Sequence, residues 1–350
     1  MCEAIVISHS GLHPRQQLFY SELSKRLDLA VVMPKHWTIG LTPRDPQIVE
    51  GLNLKMYLLP TTNLGDWWTA FYLGLEQVFE RVKPDWVLTF EEPWSSFAYQ
   101  TFLLKEKFKF KLHVFSWENL DYPIPEPWQS FYKKVLNGCN IFQAGNKECL
   151  ELWEKRISGI SKKSFILPQS GIDTDLFKPL NIKKEFDLIF LGNKIWPNKG
   201  CAFVDLATRE LGLKLVDVGE GSYNFLFSMK SVGYGYYLDT PKYYNSARIA
   251  TAHSMDTPRW KEQFANYFSI ESLACGLPVV NSDTSAFKEF LTPLDGECVF
   301  LTEQGNYTLF KENIKKALGV EKRLINYGRN FVKKKFSNKV IAKELVKWLD

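Results

Sequence analysis

The sequence predicts an α/β protein built from two doubly wound parallel sheets. Short apolar runs alternate with segments whose apolar residues recur at helical spacing, which is the pattern of parallel strands joined by helices. The alternation occurs twice, and a polar segment that contains proline lies between the two series. A chain of 350 residues is long enough for two such domains, each of about 150 to 180 residues.

The first series predicts seven strands with helices between them. Helical spacing is clear from Gln16 to Leu27, from Asp66 to Val82 and from Lys147 to Ile157. The strand runs are AIVIS from residue 4, LAVVMP from 29, LKMYLLP from 54, DWVLTF from 85, KLHVFS from 111, NIFQAG from 140 and SFILPQ from 164. Alternating strands and helices predict a parallel sheet.

The second series predicts five further strands and therefore a second sheet. Its runs are EFDLIFLG from residue 185, LKLVDVGEG from 213, SARIATA from 246, LPVVNSD from 277 and ECVFL from 297. The segment IDTDLFKPLNIKKE between the two series is the predicted linker. We place the boundary near Pro179, which gives domains 1–179 and 180–336.

The end of the chain is predicted to be an amphipathic helix from Ser337 to Trp348. Ile341, Leu345 and Trp348 fall on one face at helical spacing, so this helix must pack against a folded surface. We expect residues 337–350 to pack back on the first domain.

Composition places the chain among ordinary globular proteins, with 45% hydrophobic and 24% charged residues. Its six cysteines are scattered without metal-ligand spacing, which favours reduced, buried thiols in a cytosolic protein. The N-terminal MCEAIVISHS fits a first strand better than a signal peptide. No run approaches the roughly 18 to 20 apolar residues of a membrane span, so we expect a cytoplasmic protein.

The net charge of +5 is concentrated near the C-terminus. Residues 311–350 contain twelve Lys or Arg and four Asp or Glu. Two explanations are open: the solvated face of the last helices, or peripheral contact with an anionic membrane leaflet or an anionic acceptor. Nucleic acid is not expected as a partner, because no compact binding motif accompanies the charge.

The stretch YFSIESLACGLPVVNSD, residues 267–283, places one carboxylate in an apolar helix. Propensity predicts a short helix from Ile270 to Cys275, ended by Gly276, with a buried strand following Pro278. Glu271 would then lie in the first helical turn. It has two explanations: it complements the positive end of the helix dipole, or it belongs to a ligand site at a strand-to-helix loop.

The segment LPQSGIDTDLFKP, residues 167–179, resembles the NGVDTDLFRP segment of retaining GT-B glycosyltransferases of family 4. Asp173 and Thr174 can close a capping turn before Leu176 and Phe177 dock as apolar side chains. Four further stretches are similar to that family's motifs in order and spacing. They are FLGNKIWPNKG (190–200), VDVGEGS (216–222), SIESLACGLPVVNSD (269–283) and KKKFSNKVIAKELVKWL (333–349).

The resemblance implies a GT-B fold, with two Rossmann-like domains facing a cleft. It also implies a retaining transfer of sugar from a nucleotide-diphosphate donor, a UDP- or GDP-sugar, to a hydroxyl of a glycan or lipid-linked acceptor. The acceptor side would be domain 1–179 and the donor side 180–336. No further cofactor or metal is implied, and DTD at 173 belongs to the interdomain elbow, the segment of residues 167–179. Two alternatives are a non-catalytic sugar- or nucleotide-binding protein and a nucleotide-sugar epimerase.

By this resemblance the donor diphosphate would meet Lys199, and Glu271 would bind the ribose hydroxyls. The family has arginine after Gly192, whereas this chain has Asn193 followed by Lys194, and we favour Lys194 as the second cation. Gly219 and Gly221 would line the nucleobase side. Backbone N–H groups around the start of the Glu271 helix would approach the phosphates, from Asn266, Tyr267, Phe268, Ser269 and Ile270.

One position departs from the family pattern. A second glutamate usually stands eight residues before the first and touches the donor sugar, but this chain has Gln263 there, with Glu262 beside it. A neutral amide can still hydrogen-bond to sugar hydroxyls, so Gln263 remains a catalytic candidate together with Lys199. The sequence leaves open which of Gln263 and Glu262 fills the sugar-contact position and which sugar the donor carries.

Three strand-end loops of the first half carry the remaining candidates. Gly11 would allow the backbone to approach the donor phosphate or the acceptor, and Glu118 is a candidate catalytic group where relatives carry histidine. The acceptor-side candidates are His9, His13, Glu91, Glu92 and Asn119. The two carboxylates at 91 and 92 can orient the acceptor or act as its base. Each loop also has a simple explanation as a solvated turn.

The aromatic segment GDWWTAFYLG, residues 65–74, allows two interpretations. Trp67, Phe71 and Leu75 share one helical face and are expected in the core. Alternatively, Trp68 and Tyr72 are exposed and stack on a sugar or enter an interfacial lipid layer.

Overall fold

The computed structural model describes residues 3–39, 42–192, 194, 197–219, 221, 223–233 and 237–349. The chain forms two compact units, residues 1–171 with 338–350, and residues 172–337. The division follows Gly171 and so precedes the expected boundary near Pro179. The backbone N–H of Ile172 donates to the carbonyl of Phe336 at 2.9 Å, which ties the elbow to the second unit.

The first unit contains a seven-stranded parallel sheet of order β5-β2-β1-β6-β7-β8-β9. Its strands are β1 (Glu3–Ile7), β2 (Asp28–Pro34), β5 (Lys55–Leu59), β6 (Trp86–Thr89), β7 (Lys111–Ser116), β8 (Ile141–Ala144) and β9 (Ser164–Ile166). All seven were predicted. An antiparallel hairpin of β3 (Trp37–Ile39) and β4 (Thr42–Arg44) was not.

Apolar cores lie on both faces of this sheet. Ile5 and Ile7 belong to one buried cluster, and Ala4 and Val6 belong to the other. Successive strand residues point to opposite faces, so a sheet covered on both sides needs continuous apolar runs rather than alternating ones. This is why the strand runs were recognisable in the sequence.

The helices of the first unit cover the two faces and include the C-terminal helix. They are α1 (Pro14–Leu23), α2 (Leu75–Val82), α3 (Ser96–Phe108), α4 (Trp128–Gly138), α5 (Lys147–Arg156) and α12 (Asn338–Val346). Ile341 and Leu345 of α12 are buried in the cluster shared with α1, and the Trp348 ring stacks on Phe165 at 4.6 Å.

The helix predicted from Asp66 to Val82 begins only at Leu75, so that prediction was wrong in its first half. The Asp66 carboxylate accepts the backbone N–H of Trp68 at 2.9 Å and closes a local turn. Gly74 has φ 83°, a left-handed conformation that stops a helix from extending backwards.

The second unit contains a six-stranded parallel sheet of order β12-β11-β10-β13-β14-β15. Its strands are β10 (Phe186–Leu191), β11 (Leu215–Val218), β12 (Ser228–Val232), β13 (Ala247–Thr251), β14 (Val279–Ser282) and β15 (Val299–Thr302). Five were predicted. The edge strand β12 was missed because its sequence SMKSV is largely polar and mostly exposed.

Helix α8 begins earlier than predicted and changes the position of Glu271. The helices of this unit are α6 (Cys201–Glu210), α7 (Thr240–Ser246), α8 (Tyr267–Ala274), α9 (Ser285–Leu291), α10 (Tyr307–Leu318) and α11 (Lys322–Lys335). Glu271 therefore lies beyond the first turn of α8, and the prediction that it sits within that turn was wrong. The Asn266 side chain caps α8 by accepting the backbone N–H of Ser269 at 2.8 Å.

Candidate functional site

Two buried tyrosines hold Glu271 in the second unit. The Tyr237 hydroxyl donates to Oε1 at 2.6 Å and the Tyr244 hydroxyl donates to Oε2 at 2.7 Å. Only 2% of Glu271 is exposed. Burial, and then the adjacent Glu271, raise the pKa of Tyr244 well above its usual value, so Tyr244 remains a donor.

The elbow segment packs on these same tyrosines. Asp173 Oδ1 accepts the backbone N–H groups of Asp175 at 2.8 Å and Leu176 at 3.0 Å, which forms the predicted capping turn. The turn delivers Phe177, which is fully buried with ring centroids 5.5 Å from Tyr237 and 5.9 Å from Tyr244. The most recognisable motif of the sequence thus supports Glu271 through packing.

Lys199 meets Glu262 at the C-terminal edge of the second sheet. Lys199 Nζ lies 2.6 Å from Glu262 Oε1 and 4.4 Å from the ring centroid of Trp260. The same carboxylate oxygen accepts the Ser254 hydroxyl at 2.6 Å. Of the two neighbouring candidates for the sugar-contact position, Glu262 hydrogen-bonds to Lys199.

Lys194 forms a buried ion pair. Its Nζ lies 2.6 Å from Oδ1 of Asp217, with 7% of the lysine side chain and none of the aspartate exposed. The Ser231 hydroxyl donates to the same oxygen at 3.0 Å, while Oδ2 has no hydrogen-bond partner among the described residues. Asn193, the other residue expected at this loop, lies outside the described residues. In this ion pair Lys194 neutralises the charge of the Asp217 carboxylate.

The glycines expected near the nucleobase bring two strand ends together. Gly219, at the end of β11, has φ 139°, and a Cβ there would lie 2.0 Å from the carbonyl oxygen of Gly192 at the end of β10. Only glycine allows this approach. Gly221 also has a positive φ, 145°.

The start of α8 is shaped by an unusual backbone conformation. Asn266 has φ 30°, which non-glycine residues seldom adopt. Its side chain occupies the N–H of Ser269, and the Ser269 hydroxyl accepts from the Asn281 amide at 3.2 Å. Asn266 and Tyr267 are partly exposed, while Phe268, Ser269 and Ile270 are buried.

In the first unit, His9 and Glu91 form a close pair at adjacent strand ends. Glu91 Oε1 accepts the backbone N–H of His9 at 2.5 Å, and Oε2 lies 2.6 Å from the ring nitrogen Nδ1. The Glu91 side chain is completely buried and 25% of the His9 side chain is exposed. The rings of Trp37 and Trp67 flank His9 at 5.9 Å and 5.4 Å.

Glu92, in the loop after β6, and Glu118, after β7, both hydrogen-bond to Ser116 at the end of β7. Glu92 accepts the Ser116 hydroxyl at 2.5 Å and the Trp117 N–H at 2.8 Å. Glu118 accepts the Leu120 N–H at 3.0 Å and the Tyr122 hydroxyl at 2.8 Å. Burial, and then the negative charge of Glu118, raise the pKa of Glu92 to about 8, so Glu92 is largely protonated at neutral pH.

The other first-unit candidates have structural roles nearby. His13 caps α1 by accepting the backbone N–H of Arg15 at 3.2 Å. The Asn119 amide donates to Glu148 at 3.2 Å. Gly11 lies in a turn where a Cβ would come within 3.3 Å of the Met33 side chain.

The aromatic segment is mainly packed against other rings. Tyr72 is 2% exposed and packs on Phe97 at 4.4 Å, so the alternative in which Tyr72 is exposed is wrong. Trp68 is partly buried. Its ring stacks on that of Trp94, with centroids 4.3 Å apart, and meets the ring of Trp128 edge to face at 5.0 Å.

The described residues show neither a metal-binding cluster nor a membrane-spanning helix. They contain no group of three or more His, Cys, Asp or Glu placed to hold a metal ion. Within the same ranges, no helix is long and apolar enough to cross a membrane.

Comparison with solved structures identifies the fold. The Anabaena protein HepE, solved with UDP and glucose, superimposes with a TM-score of 0.73 over 100% of this chain and 99% of its own, at 13% identity. Sucrose-phosphate synthase from Thermosynechococcus elongatus gives 0.71 over 99% and 98%, at 15% identity. The fold is that of the GT-B glycosyltransferases.

Sequence comparison adds a relative that matches part of the chain. The capsular polysaccharide biosynthesis glycosyltransferase CapM of Staphylococcus aureus is 26% identical over 206 residues, which are 54% of this chain. The match spans about half of the length of that relative, 51%. No protein-family model matches the chain.

Several residues of this region had no signal in the sequence. Tyr237, Tyr244 and Ser254 belong to no motif that we recognised, and Asp217 lies within VDVGEGS but was not itself a candidate; each of the four hydrogen-bonds to a candidate residue. Their partners are 8 to 34 positions away in the chain, so only the folded structure brings them together.

Proposed function

We propose that the protein is a glycosyltransferase that takes a sugar from a nucleotide-diphosphate donor. One observation carries the proposal: in a GT-B fold, Lys199 with Glu262 and Glu271 with its two tyrosines lie on loops and a helix that follow strands of the second sheet. Ligands of parallel α/β sheets bind at such C-terminal strand ends. The donor class is supported by the UDP complex of HepE.

Within this proposal Lys199 is the cation that stabilises charge on the leaving diphosphate, a task for which a fixed positive group suffices. Glu262 orients Lys199 and faces the donor sugar. Its neighbour Gln263 is the second candidate for contact with that sugar. Glu271 binds the ribose hydroxyls, and the glycines at 192, 219 and 221 admit the base. Lys194 serves the diphosphate only if it leaves Asp217.

We infer family 4 membership and retention of the anomeric configuration from the motifs quoted above. The first unit, with Glu118 and the acceptor-side residues, would bind a glycan or lipid-linked acceptor; CapM, a polysaccharide biosynthesis enzyme, supports a glycan. The protein would work in the cytoplasm, with peripheral contact to an anionic membrane through its basic C-terminal segment.

Calorimetric titration with UDP, GDP and ADP tests the donor site. We expect micromolar binding of one nucleotide, weakened at least about tenfold in Lys199→Ala and in Glu271→Ala. Lys242→Ala is a matched control, because Lys242 also forms a 2.6 Å ion pair, with Asp239, but its side chain is 67% exposed. Equal binding by all variants would refute this site, and binding of no nucleotide would favour the non-catalytic alternative.

Product analysis separates the remaining alternatives. With donor sugar nucleotide alone, slow release of free nucleotide and sugar supports a transferase, whereas an epimerised sugar supports an epimerase. The anomeric coupling constant of a transfer product reports retention or inversion. Flotation with anionic vesicles at low salt tests the membrane contact, and absence of binding there would refute it.

A further inference from the structure

His253 joins two strand-end loops of the second unit. It lies in the loop that follows β13, and its ring nitrogen Nε2 accepts the backbone N–H of Gly305, in the loop that follows β15, at 3.0 Å. Strand β14 lies between these two strands in the sheet, so the ring connects loops that are not neighbours. His253 is completely buried, and it has no part in the function proposed above.

Two aromatic rings pack on the His253 imidazole. Phe203 of α6 stacks on it with centroids 4.5 Å apart and planes at 12°, and the Phe310 ring of α10 lies 5.0 Å away. Burial lowers the pKa of His253 to about 4, so the ring is neutral at neutral pH. Nε2 therefore keeps the lone pair that accepts the Gly305 N–H, and the proton of the neutral ring lies on Nδ1.

The loop that carries His253 also contacts the segment that carries Lys199. Gly200 has φ 73°, and a Cβ there would lie 2.2 Å from the carbonyl oxygen of His253, so only glycine allows this approach. The backbone N–H of Met255 donates to the carbonyl of Asn198 at 2.8 Å. The loop therefore holds the residues on both sides of Lys199.

Ser254, the residue after His253, extends the link to the Lys199 side chain. Its hydroxyl donates to Glu262 Oε1 at 2.6 Å, and the same oxygen lies 2.6 Å from Lys199 Nζ. A displacement of residues 252–256 would thus move the backbone around Lys199 and also the carboxylate that pairs with its ammonium group.

We propose that His253 is a positioning residue for Lys199, because its hydrogen bond to Gly305 holds residues 252–256 in place. The inference rests on the proposed function, in which Lys199 is the cation that meets the donor diphosphate. His253 acts through the loop and touches no part of the donor. Loss of its hydrogen bond should therefore reduce nucleotide affinity only while Lys199 is present.

Two substitutions separate the hydrogen bond of His253 from its ring packing. His253→Phe keeps an aromatic ring beside Phe203 and Phe310 but offers no acceptor to the Gly305 N–H. His253→Gln removes the ring and places an amide oxygen near the former position of Nε2, so it can accept that N–H. Each substitution is made in the parent protein and in Lys199→Ala.

The affinity of every variant for UDP, GDP and ADP is measured by calorimetry, and thermal unfolding checks that each is folded at the titration temperature. His113→Phe is the matched control. His113 is also completely buried and also forms a hydrogen bond through Nε2, with Gln143 at 2.8 Å, but it belongs to the first unit.

We expect His253→Phe to weaken binding of the nucleotide about three- to tenfold in the parent and less than about twofold in Lys199→Ala, because residues that act through one another are not additive. His253→Gln should bind within about twofold of the parent. His113→Phe should lower the unfolding temperature and leave the affinity unchanged. If His253→Phe does not fold, His253→Asn replaces it, since the shorter amide cannot reach the Gly305 N–H.

The outcomes separate this inference from the proposed function. Parent-like binding by His253→Phe, or an equal loss with and without Lys199, overturns the positioning role and leaves the donor site intact. Binding by His253→Gln that is as weak as that of His253→Phe overturns the role of the hydrogen bond. A parent protein that binds none of the three nucleotides overturns the proposed function and the role of His253 with it.

Discussion

The Tyr237 hydroxyl donates to Glu271 Oε1 at 2.6 Å, across 34 positions of sequence. Tyr244 holds the other carboxylate oxygen, so the carboxylate is fixed by hydrogen bonds from the loop before α7 and from α7 itself. Hydrogen bonds from two separate side chains restrict the rotation of the carboxylate. Glu271 is therefore preorganised rather than free to rotate.

Tyr237→Phe should weaken recognition of the ribose, because Glu271 loses one of the hydrogen bonds that orient it. We expect the ratio of affinities for the bound nucleotide and its 2′-deoxy form to fall about three- to tenfold, as measured by calorimetry, in line with the loss of about 1 kcal/mol for one hydrogen bond. Tyr243→Phe is the control, since that hydroxyl bonds to no described residue. An unchanged ratio in Tyr237→Phe would contradict the proposed role of Glu271.

Lys194→Met should destabilise the second unit, because it leaves the Asp217 carboxylate buried without a cation. Loss of one partner of a buried pair costs about 3 to 5 kcal/mol, which chemical denaturation would detect. Asp217→Asn in the same chain should restore most of that loss. If the double variant is stable but binds the nucleotide as weakly as Lys199→Ala does, Lys194 also contacts the diphosphate.

Glu92 should make the folded protein less stable as the pH rises. Its pKa is raised to about 8 in the folded state, so between the ordinary carboxyl range and pH 8 the folded state binds the extra proton. The free energy of unfolding then falls with increasing pH, by at most about 1.4 kcal/mol per pH unit for this group. The free energy of unfolding, measured with urea, should differ less between pH 5 and pH 8 in Glu92→Gln than in the parent protein.

The variant Glu118→Gln provides a second check on the same carboxylate. Removing the charge of Glu118 lowers the pKa of Glu92, because that charge is one cause of the increase. The pH dependence of stability should therefore weaken in Glu118→Gln while Glu92 is still present. An unaltered pH dependence in both variants would assign it to other groups.

Gly219→Ala should be strongly destabilising. The new Cβ would lie 2.0 Å from the Gly192 carbonyl oxygen, in a backbone conformation with φ 139° that side chains seldom adopt. We expect a loss of about 2 to 4 kcal/mol in thermal or urea unfolding, since strain at such positions alone costs about 1 to 3 kcal/mol. Gly233→Ala is the control, because a Cβ there meets nothing within 4 Å. Equal stability of the two variants would contradict the close approach of the strand ends.

The sequence predicted most of the sheet because both faces of each sheet are covered. All seven strands of the first sheet and five of the six in the second are apolar runs with helical segments between them. Strand β12 and the hairpin β3–β4 were not predicted. Strand β12, Ser228–Val232, lies at an edge and is mostly exposed, and the hairpin strands are only three residues long. Edge and short strands carry little apolar signal.

The candidate site was predictable only where it lies within motifs. Lys199, Glu271 and the glycines came from motif resemblance, and the capping turn of Asp173 came from turn chemistry. The start of α8 was misplaced because Asn266 adopts φ 30° and caps the helix, which propensity alone does not indicate. The helix expected from Asp66 failed because a side chain competed for the backbone N–H of Trp68.

The sequence by itself determined the two-sheet α/β class and the residues that motif spacing marks, because periodicity and turn residues are local properties of a chain. Only the tertiary structure decided which partner each marked residue has: Tyr237 and Tyr244 for Glu271, Glu262 for Lys199, Asp217 for Lys194 and Glu91 for His9. These pairs join residues on different strands and loops. Hydrogen bonds and ion pairs depend on distances of about 3 Å, and sequence spacing does not encode such distances between separate elements.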